Sequence, residues 1–237
     1  MAERYFKYLG KTSNDFNLII NSGVSNTSPA RDIEYIAVNG LDGEVSIDNN
    51  RLKNVTKSFP VTSDGVDIED NITAISNWLK GSRGWNQLED SEDPKYIYIA
   101  QISDEYEFDT LLSDFGKAII KFVMKPYKYL KTGLDEIVLP PTINNPTGRV
   151  AKPIITIKGT GNITLNIGTS TLSLKNVDTG VIIDSLTETI TSLDGSRTQF
   201  NKMTSYPFPK IAPGNQTITT IGTITECKII PRWEVIV

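Results

Sequence analysis

The chain has 237 residues, and its 38% of hydrophobic and 22% of charged residues are typical of a globular protein rather than a disordered one. Its net charge of −4 argues against binding to nucleic acid through phosphate contacts, and no apolar run approaches the roughly 18 residues of a membrane helix. The absence of histidine removes the commonest general base and the commonest zinc ligand. We therefore expect no catalytic residue, no cofactor and no metal site, but a binding or structural role.

The first half of the sequence predicts a mixed domain over residues 1–133, a β-barrel or sheet with one helix packed on it. Strand-like runs cover residues 16–21, 33–38, 96–102 and 117–124. Four apolar residues recur at helical period between the second and third runs: Ile68, Ile72, Ile75 and Leu79. Asp67 suits the N-cap and Gly81 the position after the last turn, so we predict a helix over 67–80. Residues 40–43 (GLDG) predict a hairpin turn.

The composition changes near residue 134, where a second domain is predicted. Residues 1–133 contain seven threonines and residues 134–237 contain 18, which favours strands in the second part. The stretch 134–152 is rich in proline, asparagine and glycine and predicts a linker. Over residues 153–237, short alternating runs are separated by turn residues, a pattern typical of a β-sandwich. Cys227, the only cysteine, lies in the last runs and is expected to be a small core residue.

One segment of the second half, residues 206–216 (YPFPKIAPGNQ), contains three prolines and a Gly-Asn pair. Proline fixes φ and removes a backbone donor, so this segment can be neither a helix nor a central strand. Pro213 and Gly214 suit the two central positions of a tight turn. We predict a stiff, extended segment that ends in a turn and leads into a long strand.

Several motifs follow the order and rough spacing of one protein family. Residues 29–43 (PARDIEYIAVNGLDG) contain its E-x-I-x-V-x-G-x-D-G run, and residues 116–127 (GKAIIKFVMKPY) end in its F-x-x-x-P-Y. Residues 208–215 (FPKIAPGN) match a segment of its second domain. On these motifs the chain resembles the distal tail proteins of long-tailed, non-contractile (siphovirus-type) bacteriophages and prophages. It departs from them at Leu41, where the family often has arginine, so an arginine contact at this turn is not implied.

The resemblance implies a structural protein that forms a ring, a hexamer, at the distal end of a virion tail. In that family the N-terminal β-barrel domain with its helix builds the ring, and a galectin-like or carbohydrate-module-like β-sandwich faces outward. The ring joins the tail tube to the tail-tip or baseplate proteins, and the tape measure protein is a further expected neighbour. Because the N-terminal residues lack the apolar core of a signal peptide, we expect assembly in the host bacterial cytoplasm.

The subunit contacts of such a ring are expected on two extended runs of the first domain, residues 16–21 and 33–38. These runs flank a polar, glycine-containing loop, and such strand edges suit pairing between neighbouring copies. The candidate interface residues are Phe16, Leu18, Ile33, Tyr35 and Ile36. The alternative is that both runs pair within one subunit.

Two other functions are compatible with the sequence. A carbohydrate-binding module with an accessory domain would expose Trp85, Tyr206 or Trp233, because aromatic rings can stack on sugar rings. The second half supplies only one tryptophan, Trp233, so at most a weak carbohydrate contact is expected. A small glycosidase would need two carboxylates that face one substrate, and the sequence singles out no such pair.

Overall fold

The structure is a computed structural model that describes residues 4–64, 67–102, 105–112 and 115–237. It divides into two units, Met1–Lys128 with Ile236–Val237, and Tyr129–Val235. The boundary therefore precedes the predicted one at residue 133, and the last two residues belong to the first unit. The prediction of a mainly β fold with one α-helix is confirmed for the described residues.

The first unit is built on a sheet that curls into a half-barrel. Its elements are β1 (Phe6–Tyr8), β2 (Lys11–Thr12), β3 (Leu18–Ile20), β4 (Arg31–Ala37), β5 (Glu44–Leu52), β6 (Val55–Asp64), α1 (Ile68–Leu79), β7 (Asn86–Asp90), β8 (Tyr96–Gln101), β9 (Asp109–Leu112) and β10 (Phe115–Leu130). The main path of the sheet is β2-β1-β7-β8-β10-β6-β3, with β9 paired to β10. Strand β3 thus ends this path, while β4 and β5 form a sheet of their own.

Helix α1 begins where the sequence predicts, because Asp67 caps it. The Asp67 carboxylate accepts the backbone N–H groups of Glu69 and Asp70, at 3.1 Å and 3.3 Å. Of the predicted apolar stripe, Ile75 and Leu79 are buried and Ile72 is half-buried, while the side chain of Ile68 lies outside the described part. The helix therefore covers the inner face of the sheet with the predicted side.

The core of the first unit is organised around Trp78 of α1. Its indole is parallel to the rings of Phe16 and Phe6, with ring centroids 4.4 Å and 5.6 Å apart. Its Nε1–H donates to the Tyr8 carbonyl oxygen at 2.8 Å. The buried indole is thus satisfied both as an apolar ring and as a hydrogen-bond donor.

The second unit is a β structure with one hydrophobic core. Its strands are β11 (Ile137–Val138), β12 (Thr142–Asn145), β13 (Ile154–Ile167), β14 (Ser170–Val177), β15 (Gly180–Asp184), β16 (Thr189–Thr191) and β17 (Gly214–Ile230). The last strand, β18 (Glu234–Ile236), belongs to the sheet of the first unit, where it pairs with β10. The sheet order is β11-β17-β13-β15-β16, with β12 on β17 and β14 on β13. Strands β13 and β17 shift register twice along their length, at Gly159 and before Thr164. Both ends of these strands contribute to one core, as in a β-sandwich; a galectin-like topology stays a prediction.

The segment predicted as a linker, residues 134–152, contains two strands instead. Ile137 pairs with Ile229 in β17, and Ile143 pairs with Gln216 near the start of the same strand. The Asn145 amide donates to the carbonyl oxygens of Arg149 and Ile211 at 2.8 Å and 3.1 Å. Prolines 140 and 141 lie between β11 and β12, where they cost no ladder hydrogen bond, so proline content alone was a poor guide here.

Candidate functional site

The most exposed ordered element of the first unit is the hairpin of β4 and β5. In the part of the chain that the structure describes, these strands pair only with each other. The antiparallel register places Glu34 opposite Ile47 and Ile36 opposite Val45. An isolated two-stranded ribbon is marginally stable in water, so this hairpin has a physical reason to be covered by something else.

One face of the hairpin carries an apolar patch. Residues opposite each other in a ladder share a face, so Ile36, Val45 and Ile47 lie side by side. Each of these three side chains is 44–45% exposed. Tyr35 is exposed on the other face, opposite Ser46. We call Ile36, Val45 and Ile47 the hairpin patch.

The tip of the hairpin contains a tight turn over residues 38–41, which overlaps the predicted turn at 40–43 (GLDG) but begins two residues earlier. The Leu41 backbone N–H donates to the Val38 carbonyl oxygen at 3.1 Å. Gly40, the third residue of this turn, has φ +84°, the left-handed value that a type II turn requires there. Val38 and Leu41 are both exposed, so apolar surface continues to the tip.

The base of the hairpin is held by charges. The Asp32 carboxylate contacts the Arg51 guanidinium at 2.6 Å and the Lys53 ammonium at 3.2 Å. The hydrogen bond from Arg51, assisted by the one from Lys53, lowers the pKa of Asp32. The carboxylate therefore stays ionised at neutral pH and ties the two strands together at the end of the ribbon that lies away from the turn.

The structure separates the five predicted interface residues into two groups. Tyr35 and Ile36 are exposed on the hairpin, and Ile33 is half-buried near its base. Phe16 and Leu18 are not at the surface: both side chains belong to the core, where Phe16 stacks on Trp78. The predicted strand-like run 16–21 is shorter than expected, because Phe16 ends a 3-10 helix (Ser13–Phe16) and β3 covers only Leu18–Ile20. Side chains alternate within β3, so Leu18 points inward and Ile19 points outward.

Two members of the hairpin patch, Val45 and Ile47, were not among the predicted interface residues. The signal was present, because residues 44–47 (EVSI) follow the predicted turn and alternate polar with apolar. If the residues on either side of the predicted turn had been paired in order, Val45 and Ile47 would have lain opposite the predicted strand over residues 33–38.

A second apolar patch lies on the outer face of β3, β6 and β10. Ile19 of β3 pairs with Thr62 of β6, and Ile119 of β10 pairs with Pro60 of β6. Pro60 and Thr62 are two residues apart in β6, so both pairs lie on the same face of the sheet. Ile19 and Ile119 are both exposed. We call Ile19, Pro60 and Ile119 the β3 patch. It lies at the end of the main sheet path, where the outer edge of β3 is free in the described part of the chain.

A polar cavity of about 470 Å³ in the first unit looks at first like a reaction site, but its groups bind one another. The Asp93 carboxylate accepts from the Lys128 ammonium at 2.5 Å and from the Tyr98 hydroxyl at 2.6 Å. Burial, together with the nearby Asp93, raises the pKa of Tyr98, so its hydroxyl stays protonated and donates. No described group of three or more Cys, Asp or Glu side chains could hold a metal ion.

Comparison with known proteins identifies the fold. No family model and no curated protein sequence matches the chain. No helix within the described ranges is long and apolar enough to cross a membrane. Among solved structures, the crystal structure of Dit (gp 19.1) of phage SPP1 is similar with a TM-score of 0.72 and 15% sequence identity. That protein is described as a paradigm of the hub adsorption apparatus in phages that infect Gram-positive bacteria.

The similarity extends over 98% of this chain and 99% of the SPP1 chain, so it includes both units. Family motifs in residues 29–43, 116–127 and 208–215 pointed to the same group of proteins. The resemblance is therefore confirmed at the level of the fold: the chain has the fold of a phage distal tail hub protein.

Proposed function

We propose that this protein is a structural component of the distal end of a phage tail. The observation that carries the proposal is the end-to-end similarity to SPP1 Dit, a hub protein of an adsorption apparatus. Copies of the chain form a hexameric ring that joins the tail tube to the tail-tip or baseplate proteins, with the tape measure protein as a further neighbour. Assembly takes place in the host cytoplasm, and no enzymatic step is part of this role.

The hairpin of β4 and β5 is the element that links one copy to the next. Its hairpin patch exposes three aliphatic side chains on a ribbon that has no third strand within the described residues. Contiguous exposed apolar surface of this kind typically marks a site of protein association. Covering it with a neighbouring subunit would stabilise the ribbon and the assembly together.

The surface that receives the hairpin patch is the β3 patch of the neighbouring copy. The two patches are different surfaces of one chain, so their contact is heterologous, and repeated heterologous contacts close into a ring when the rotation permits. Ile19 lies in the predicted run 16–21 and Ile36 in the predicted run 33–38, so both predicted segments take part. The residues that make the contact are Ile19 and Ile119 in place of Phe16 and Leu18.

The mass of the particle in solution tests the ring. Native mass spectrometry of the full chain, alone and with its tail-tip neighbour, is expected to show six copies per particle. The double variant Ile36→Asp, Ile47→Asp and the single variant Ile119→Asp should each shift the population to monomers, because both insert a charge into the proposed contact.

Val138→Asp is the matched control, because Val138 is an exposed aliphatic residue of β11 outside both patches. It should leave the six-copy particle intact. A monomer at every concentration, with and without the tail-tip neighbour, would overturn the ring. Loss of the ring in the control to the same extent would overturn the assignment of the patches.

A further inference from the structure

The second unit contains a groove that the proposed ring does not use. It encloses about 630 Å³, within the range of about 300–1,000 Å³ that is usual for small-molecule sites. The buried side chains of Ile167 and Phe208 contribute apolar surface, and serine and threonine residues contribute hydroxyl groups. We call it the Tyr206 groove, after the aromatic residue that lines it.

Tyr206 is 78% exposed, the largest exposed fraction among the large apolar side chains of the described residues. A ring so open to water offers an apolar face that a ligand can cover. The backbone around it is fixed, since Pro207 and Pro209 each restrict φ. The ring is thus carried beside the groove on a backbone segment with restricted φ angles.

The strand next to the groove holds this segment in place. The Thr204 backbone N–H and hydroxyl both donate to the Ser173 carbonyl oxygen, at 2.9 Å and 3.1 Å. The Ser173 backbone N–H donates in turn to the Ser205 hydroxyl oxygen at 2.8 Å. Since three hydrogen bonds join residues 204–205 to β14, little conformational entropy remains to be lost on binding.

The hydroxyl groups of the groove keep hydrogen-bonding capacity for a ligand. The Ser170 and Ser205 oxygens accept backbone N–H groups from Lys210 and Ser173, so each retains an O–H to donate. The Thr204 hydroxyl donates to a carbonyl, so its oxygen retains lone pairs to accept. Donors and acceptors are therefore both available around an aromatic platform.

The structure describes every residue of the second unit, and among them Lys210 is the one charged residue that lines the groove. No acidic side chain of the described residues lies within ion-pair distance of its ammonium group, whereas Lys202 and Lys228 of the same unit are paired with carboxylates. An ammonium without a carboxylate partner in a ligand-sized groove favours an anionic group on the ligand.

We propose that the Tyr206 groove binds a saccharide that carries a negatively charged substituent. The apolar face of a sugar ring stacks on Tyr206, its hydroxyl groups bond to Ser170, Thr204 and Ser205, and its acidic group pairs with Lys210. The other aromatic candidates fit less well. Trp233 is buried, and Trp85 lies in the first unit beside Lys125.

The site belongs to a single chain, so it does not depend on the ring. The test applies the full chain to an array of oligosaccharide pairs. The two members of each pair differ only in that one has glucuronic acid where the other has glucose. Wild-type protein should bind at least one acidic member of a pair more strongly than its neutral partner. Tyr206→Ala should weaken that binding about tenfold, because a stacked aromatic ring typically raises affinity by up to about tenfold.

Matched variants separate the roles of the residues. Tyr206→Phe should keep most of the binding, since the ring face remains, and Lys210→Gln should remove the preference for the acidic member. Phe200→Ala is the control, because Phe200 is 50% exposed in the same unit but does not line the groove; it should change binding less than twofold.

Three outcomes would overturn the proposal. They are no binding to any saccharide of the array, equal losses in Tyr206→Ala and Phe200→Ala, and binding to acidic peptides printed on the same array but to no saccharide. Six-copy particles that bind no saccharide would contradict the groove proposal but not the ring. Monomers that bind a saccharide would contradict the ring but not the groove proposal.

Discussion

The Lys57 ammonium lies 2.7 Å from the Asp90 carboxylate, and both side chains are almost wholly buried, at 3% and 1% exposed. Arg4 contacts the same carboxylate oxygen at 2.7 Å. The Lys57 ammonium also lies 4.8 Å from the centre of the Tyr98 ring. A lysine on an inward position of β6 is tolerated because its charge is paired and partly covered by an aromatic face.

Removing one partner of this pair should destabilise the first unit strongly. Asp90→Asn leaves the Lys57 charge buried without its counter-charge, which typically costs about 3–5 kcal/mol in the free energy of unfolding. Urea denaturation followed by tryptophan fluorescence measures the change. Glu89→Gln is the control in the neighbouring position: Glu89 faces Lys7 at 3.7 Å in a more exposed pair, so its loss should cost less than about 1 kcal/mol.

The same pair should make stability depend on acid pH. Burial raises the pKa of Asp90, but hydrogen bonds from Lys57 and Arg4 outweigh it, so the folded pKa lies below the usual value near 3.8. A depressed carboxyl pKa stabilises the fold above the unfolded pKa, and this contribution is lost as pH falls through the folded pKa. The stability difference between wild type and Asp90→Asn should therefore shrink below about pH 4. A difference that stays constant from pH 7 to pH 3 would contradict this linkage.

Trp78 should be among the most costly residues of the first unit to truncate. Trp78→Ala removes two ring stacks and leaves the Tyr8 carbonyl oxygen without its indole donor. We expect a loss of about 3–5 kcal/mol in the free energy of unfolding, measured by thermal and urea denaturation. Trp85→Ala is the matched control, because Trp85 is partly exposed and contacts Lys125 at 5.2 Å from its ring centre; it should cost about 1 kcal/mol or less.

Local signals in the sequence were reliable where a single element decides the outcome. Helix α1 could be predicted because its cap, Asp67, and its apolar stripe lie within one short window. The hairpin around residues 40–43 could be predicted because Gly40 supplies the φ that its turn, observed at residues 38–41, needs. Both features depend on neighbours in the chain, which the sequence shows directly.

Features that depend on distant partners could not be predicted. Lysine is usually a surface residue, and the partner that allows Lys57 to be buried, Asp90, lies on another strand. In the run 16–21 three apolar residues are consecutive at 18–20, so alternation alone did not say that Leu18 points inward and Ile19 outward. The strands within 134–152 form because β17 is long enough to pair with them, a fact that the proline-rich segment itself does not contain.

A side chain at Gly133 should destabilise the second unit. A Cβ atom built there would lie 2.6 Å from the Trp233 backbone nitrogen and 2.7 Å from the indole Cδ1, both well inside contact distance. Because the Gly133 carbonyl oxygen also accepts from the Arg232 N–H at 2.7 Å, the chain cannot move away without losing that bond. Gly133→Ala should cost about 1–3 kcal/mol in the free energy of unfolding. Gly148→Ala, where no atom lies within 4 Å of the added Cβ, should stay within about 0.5 kcal/mol of wild type.

Cys227 should react slowly with thiol reagents in the folded protein. Burial raises the pKa of its thiol to about 11, and the side chain packs against the core of the second unit, as the sequence predicted. The reactive species is the thiolate, whose fraction at pH 8 then falls on the order of 100-fold below that of an ordinary cysteine. The rate of modification by an aromatic disulfide reagent at pH 8, with and without urea, measures this difference. The control is the double variant Cys227→Ala, Val138→Cys, which moves the only thiol to an exposed position opposite Lys228 and should react quickly in both conditions. Equal rates for Cys227 in folded and unfolded protein would show that its thiol is not protected by the sheet.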